Sequence, residues 1–141
     1  MGGRGVARGA AAADRRRSIA AFGFAAVVEA EAELSLPRRG HLYWARFDKR
    51  RPVLVLSVNA RNERANDVIV IPCSTTIREA PTHVRLGRGD GGAPRTCVLK
   101  CEQITTLPKE DLDIAPLGAA LDLARLAEVE RAVLRAIGVP V

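Results

Sequence analysis

HLYWARFDKRRPVLVLSVNARNERANDVIVIPCS, residues 41–74, is the stretch whose reading decides the fold. Its opening HLYWARF alternates: Tyr43, Ala45 and Phe47 face one way, Leu42 and Trp44 the other. That is the period-two pattern of a strand, with Pro37 just before it. PVLVLSVN (52–59) is a near-continuous run of β-branched residues and leucine, as in a strand buried on both faces. DVIVIPCS (67–74) is similar, and the polar stretch 59–67 connects the two. Further on, THVRL (82–86) reads as a strand and GRGDGGAP (87–94) as a turn-rich loop. TCVLK (96–100) runs into CEQITTL (101–107), another strand or a bent pair. Short strands at close spacing with tight turns predict a small barrel in a mainly β (α+β) chain.

The end of the chain follows a different period. Leu126, Val129, Val133 and Ile137 recur at helical spacing, with Arg125, Glu128, Arg131 and Arg135 off that stripe. Gly138 and Pro140 stop the helix. The stripe is read as a packing face, against the sheet or a second subunit. At the other end, residues 1–37 form a Gly/Ala/Arg-rich leader, expected to be disordered or a short helix, ahead of a domain over 38–141. Arg15, Arg16 and Arg17 before an apolar run resemble a secretory signal, even a twin-arginine one. Against that reading, the charge run begins fourteen residues in and Glu29, Glu31 and Glu33 crowd the cleavage position. The apolar run is also too short to span a bilayer.

The 141 residues suffice for one domain, and a hydrophobic content of 48% allows a core without disulfides or structural metal. Only 4% are aromatic, which argues against rows of stacking aromatics. The net charge is +6, and it is unevenly placed. Residues 38–100 hold 13 Lys/Arg and 5 Asp/Glu, a local +8, whereas residues 101–141 hold 4 and 7, a local −3. A basic sheet beside a mildly acidic helix fits phosphate binding on one face. Cys73, Cys97 and Cys101 form no C-x-x-C pair and are odd in number, so buried free thiols are expected in place of a zinc site or disulfide framework.

The chain has no Walker loop, no G-x-G-x-x-G after a strand, no H-E-x-x-H and no G-x-S-x-G. Glu110, Asp111 and Asp113 read as a solvated connection. What stands out is a set of basic and hydroxyl residues at strand ends: Lys49, Arg50 and Arg51 on one side, Ser74, Thr75 and Thr76 on the other. If those strands are neighbours, a guanidinium and several hydroxyls meet at one rim. Plain phosphate binding would use such a rim. So would attack of an RNA 2′-OH on its own adjacent phosphate, where the nucleophile belongs to the substrate. The protein then has only to hold the nucleotide in line and stabilise charge on phosphoryl oxygens.

Three segments carry a family resemblance. RGHLY (39–43) followed by RPVLVLS (51–57) resembles the opening of the MazF/PemK toxins, and VIVIPCSTT (68–76) their strand ending in a Thr/Ser pair. VLKCEQITTLPKEDL (98–112), with Glu102, Gln103 and Ile104 in register, resembles their V-x-x-x-[ED]-Q-[IV]-x-[TS]-[ILV] segment. The resemblance implies a dimeric SH3-like barrel and a cytoplasmic, sequence-selective endoribonuclease. It implies cleavage of single-stranded RNA to a 2′,3′-cyclic phosphate without metal or other cofactor, and inhibition by a MazE-type antitoxin. The family's arginine falls on Arg51 and its threonine on Ser74, with Thr75 as the neighbour if the register shifts by one. Lys49, Arg50, Thr76, Arg78, His83 and Gln103 are the candidate RNA contacts around them.

Two departures stand out. The connection of Asp48, Lys49 and Arg50 is shorter than the Gly/Ser-rich loop of many members, and His41 replaces an acidic residue. The alternatives are a non-enzymatic barrel resembling the gyrase-binding CcdB toxins, which do not use that arginine and hydroxyl, and an inactive toxin acting as a co-regulator with its antitoxin.

Overall fold

The computed structural model describes residues 36–141; the leader expectation for 1–37 thus lies almost wholly outside the described residues. Pro37–Leu112 and Pro116–Val141 form one unit, and the fold below is that unit. Five strands run in the hydrogen-bonded order β1 (Leu42–Arg46), β2 (Arg50–Val55), β3 (Asp67–Ser74), β5 (Cys97–Lys100), β4 (His83–Leu86). The sixth, β6 (Thr105–Pro108), pairs with β3, and every pairing is antiparallel. At eight residues β3 is the longest strand, and its free edge serves two partners: β6 along Asp67–Val70 and β5 along Cys73 and Ser74.

The barrel expectation is met only loosely. A single bridge between Ala45 and Leu112 brings the chain after β6 back to β1, and the five-strand path ends at β4 without rejoining β1. The sheet is strongly wrapped but not closed. This geometry explains why the apolar runs show no clean alternation. In β2, Val53 and Val55 enter one cluster with Tyr43, Ala45, Val68 and Val70, whereas Leu54 enters another with Leu42, Ile71, Leu86 and Leu99. Both faces of β2 are buried over Val53, Leu54 and Val55, as the sequence predicts, but the strand ends at Val55, short of the expected residue 59, and Val58 is exposed.

The second cluster is covered by the C-terminal helix, α2 (Leu123–Ala136), whose Asp122 side chain accepts a 2.7 Å bond from Arg125 N–H at the N-cap. Leu126, Val129 and Ala132 are its buried residues, with Val133 packed at the margin. Ile137 departs from the expected stripe: it caps the helix at the C-terminus and is 65% exposed. The connection 59–67 is also more ordered than a polar linker. It contains a six-residue helix, α1 (Asn59–Arg64), tied down by a buried polar pair. Ser57 Oγ donates to Asn62 Oδ1 and accepts from Ile69 N–H at 3.0 Å, while Asn62 Nδ2 donates to the Ser57 carbonyl at 2.9 Å. Loop 87–94 folds back onto residues 117–118, and Gly92 is required there. Its φ is +85°, and a Cβ would lie 2.4 Å from the Leu117 carbonyl oxygen.

CEQITTL resolves into the bent alternative: a 3₁₀ turn over Cys101–Gln103 and then β6. Cys73, Cys97 and Cys101 are buried and free, as expected. Among the described residues no helix is long and apolar enough to cross a membrane.

Candidate active site

Pairing fixes the site. β2 lies between β1 and β3, so the start of β2 sits beside the end of β3, and Arg51, opposite Ala45 of β1, reaches across to it. Arg51 Nη1 donates to the Cys73 carbonyl at 3.1 Å, directly before Ser74. Arg51 Nη2 donates to Asp48 Oδ2 at 2.9 Å, and the guanidinium stands 5.9 Å from the Phe47 ring centroid. Its Nε is buried and without a hydrogen-bond partner among the described residues. Ser74 Oγ accepts from Thr76 N–H at 3.2 Å, which orients the hydroxyl and leaves its own proton to be donated.

These groups open on a cavity of about 530 Å³. Of the residues singled out in the sequence, Lys49, Arg50, Arg51, Ser74, Thr75, Thr76 and Gln103 line it together. Arg78 and His83 do not. They line a second hollow of about 550 Å³ with Ile77, Pro81, Arg85 and Val98. There the His83 ring is held at both nitrogens, Nδ1 by the Arg78 carbonyl at 2.9 Å and Nε2 by Glu102 Oε2 at 3.1 Å. His41 is outside both, half-buried, with Nδ1 3.0 Å from the Gly118 carbonyl oxygen.

Sequence reasoning passed over Trp44, Asp48, Arg95, Cys97 and Lys100, all of which line the main cavity. Trp44 is the partly exposed residue within a strand whose neighbours Leu42, Tyr43 and Ala45 are buried, and parity alone does not reveal it, since Leu42 shares it. Arg50 lies over its ring, 5.2 Å from the centroid. Arg95 and Lys100 come from a loop and a strand end that only the β3–β5 pairing brings near. With them the lining carries five cations, Lys49, Arg50, Arg51, Arg95 and Lys100, against one carboxylate, Asp48. For Asp48 a desolvation cost is outweighed by the Lys49 N–H bond and the Arg51 charge, so its pKa lies below the usual carboxylate value. The same balance, through bonds from its own N–H, His83 and Thr82, lowers Glu102. In the cavity wall the interaction between the Cys73 and Cys97 thiols, together with burial, holds Cys73 well above its ordinary pKa, and the same interaction holds Cys97 below its own.

An open, strongly bent antiparallel sheet with a basic cavity of arginine and hydroxyls at strand ends defines a barrel-like protein whose cavity chemistry suits phosphate groups. The comparisons with known proteins narrow this. Residues 38–137 match the family described as PemK-like, MazF-like toxin of type II toxin-antitoxin system. The chain belongs to that family. It is 34% identical over 110 residues to the "Probable endoribonuclease MazF5" of Mycobacterium tuberculosis, covering 76% of this chain and 94% of that one. It is 30% identical over 113 residues to the endoribonuclease MazF1 of Mycobacterium bovis, covering 76% and 98%. Among solved structures, a mycobacterial endoribonuclease in complex with its cognate antitoxin superimposes with a TM-score of 0.65 at 33% identity, over 74% of this chain and 98% of that one. A MazE–MazF complex from Deinococcus radiodurans gives a TM-score of 0.63 at 27% identity, over 74% and 98%.

Proposed function

We propose that this chain is the endoribonuclease toxin of a toxin–antitoxin pair, cutting single-stranded RNA at the cavity of Arg51 and Ser74. The observation that carries this is the bond from Arg51 Nη1 to the Cys73 carbonyl, which sets a guanidinium and the Ser74 hydroxyl on one rim. Arginine's planar fork matches two phosphoryl oxygens, and its charge offsets the charge gathering on them as the phosphorus becomes five-coordinate. In this reading the 2′-oxygen of the substrate forms the new bond to phosphorus and the bond to the 5′-oxygen breaks. The products are a 2′,3′-cyclic phosphate and a 5′-hydroxyl end, with no protein nucleophile and no metal-activated water required. Ser74 donates to a phosphoryl oxygen, and Thr75 and Thr76 offer further hydroxyls beside it. Lys49, Arg50 and Lys100 hold the flanking phosphates, and Gln103 offers an amide to a base edge.

The protein works as a homodimer in the cytoplasm, restrained by a MazE-type antitoxin. Support for that partner comes from relatives solved with theirs. The test is incubation of purified protein with long single-stranded RNA in EDTA, followed by mapping of the ends. Discrete cuts with cyclic-phosphate ends are expected, and Arg51→Ala should lower kcat/KM by about 10²–10³-fold. No cleavage, or equal cleavage by Arg51→Ala, would overturn the assignment.

A further inference from the structure

We propose that Asp48 is a built-in placeholder for the substrate phosphate: its carboxylate occupies Arg51 in the free protein and must leave for RNA to bind. The proposal rests on the ribonuclease reading above and adds a residue that sets how tightly the site takes RNA.

Asp48 stands in the short turn between β1 and β2, closed by the 3.1 Å bond from Phe47 N–H to the Lys49 carbonyl. Its Oδ1 accepts from Lys49 N–H at 2.9 Å, which aims Oδ2 at Arg51 Nη2, also 2.9 Å away. It is the one carboxylate lining a cavity that otherwise presents five cations. An anion in that position does what a phosphoryl oxygen would do.

The pairing is incomplete in a way that favours exchange. The Asp48 contact to Arg51 is made at Nη2, and Nε stays buried without a partner. A donor left unsatisfied away from water is costly, and guanidinium groups pair best when two nitrogens are engaged side by side. A phosphodiester carries two non-bridging oxygens and can engage Nη2 and Nε together. The partners also differ in freedom: the Asp48 side chain is 64% exposed and that of Arg51 only 16%. The carboxylate can swing into water, while Arg51 stays fixed by the Cys73 carbonyl and the Phe47 ring. Nε is buried while Asp48 holds Nη2, so the side chains around the guanidinium must give way for phosphate to reach it.

The test is binding, separate from cleavage. The probe is a fluorescent single-stranded oligoribonucleotide of mixed sequence, fully 2′-O-methylated so that it cannot be cut, titrated with wild type, Asp48→Asn and Asp111→Asn. Asp111 pairs with Arg46 at 3.4 Å and does not line the cavity, so its variant makes the same charge change elsewhere. Asp48→Asn should bind roughly fivefold tighter at about 50 mM salt. That advantage should narrow toward about 500 mM, where the wild-type ion pair is itself screened. Asp111→Asn should stay within about twofold of wild type. Equal or weaker binding by Asp48→Asn would show that the carboxylate merely positions Arg51 and would overturn the proposal alone. An equal gain in Asp111→Asn would also overturn it, since net charge would then explain the effect. Failure of every form to bind would overturn the ribonuclease reading as well.

Discussion

Under the proposed mechanism, the Ser74 hydroxyl is the one atom that separates a phosphate-binding rim from a reactive one. Its oxygen accepts from Thr76 N–H, which leaves the hydroxyl proton free to be donated into the cavity that Ser74 lines. Ser74→Ala removes the donor and leaves Arg51 in place. The expected outcome is a fall in kcat of about 10²-fold with KM changed little, the signature of a group that acts on developing charge. Ser74→Thr should restore activity, because the added methyl leaves the hydroxyl where it is. Loss of activity in the threonine variant, or a change in KM alone, would assign Ser74 to binding only. At this scale the sequence was legible where a residue type has one chemistry: Arg51 stands before Pro52, and hydroxyls close an apolar run. It was silent on Asp48 and Lys100, because both gain their meaning from partners across a turn or a strand. Arg78 and His83, expected among the RNA contacts, are set apart from Ser74 in space. Chain direction changes after Thr76, and both line the second hollow.

At the scale of elements, β3 explains both the success and the limits of the pattern reading. Its run of apolar residues is plainly a strand, yet which edge pairs with what depends on register. The division of one edge between β6 and β5 leaves no local trace in DVIVIPCS. That division makes the site, because it brings Val98 opposite Ser74 and so carries Cys97 and Lys100 to the cavity. Helix α2 was legible from its period, apart from its last turn. Val129 is fully buried whereas Ile137 lies past the helix end, so the stripe should be unequal in energy. Val129→Ala should cost roughly 1–3 kcal/mol of unfolding free energy in a denaturant titration. Ile137→Ala should stay within about 0.5 kcal/mol. A large loss at Ile137 would reveal a covered surface there, as in a dimer.

The molecule as a whole gathers positive charge at its strand ends and holds itself together with a core that includes three thiols. That core carries a pH signature. Burial, and then the Glu102 charge, push the Cys101 thiol up to about 12 from an ordinary value of 9.0. Cys73 and Tyr43 are raised too, the first by the Cys97 bond and burial, the second by burial. Groups that keep their protons longer when folded contribute stability that is fully present below the unfolded pKa. That stability is lost as pH climbs through the folded value. Cys97, lowered by the Cys73 bond, acts in the opposite sense, so Cys101 is the cleanest member to test. Wild type should therefore lose stability steadily between about pH 9 and 11, with each retained proton contributing up to about 1.4 kcal/mol per pH unit. Cys101→Ala should start lower at pH 7.5, because it opens a gap in the core, yet fall less steeply over that range. Melting temperatures measured from pH 7.5 to 11 for both proteins decide it. Parallel curves would mean that Cys101 is not the group whose titration unfolds the protein at alkaline pH.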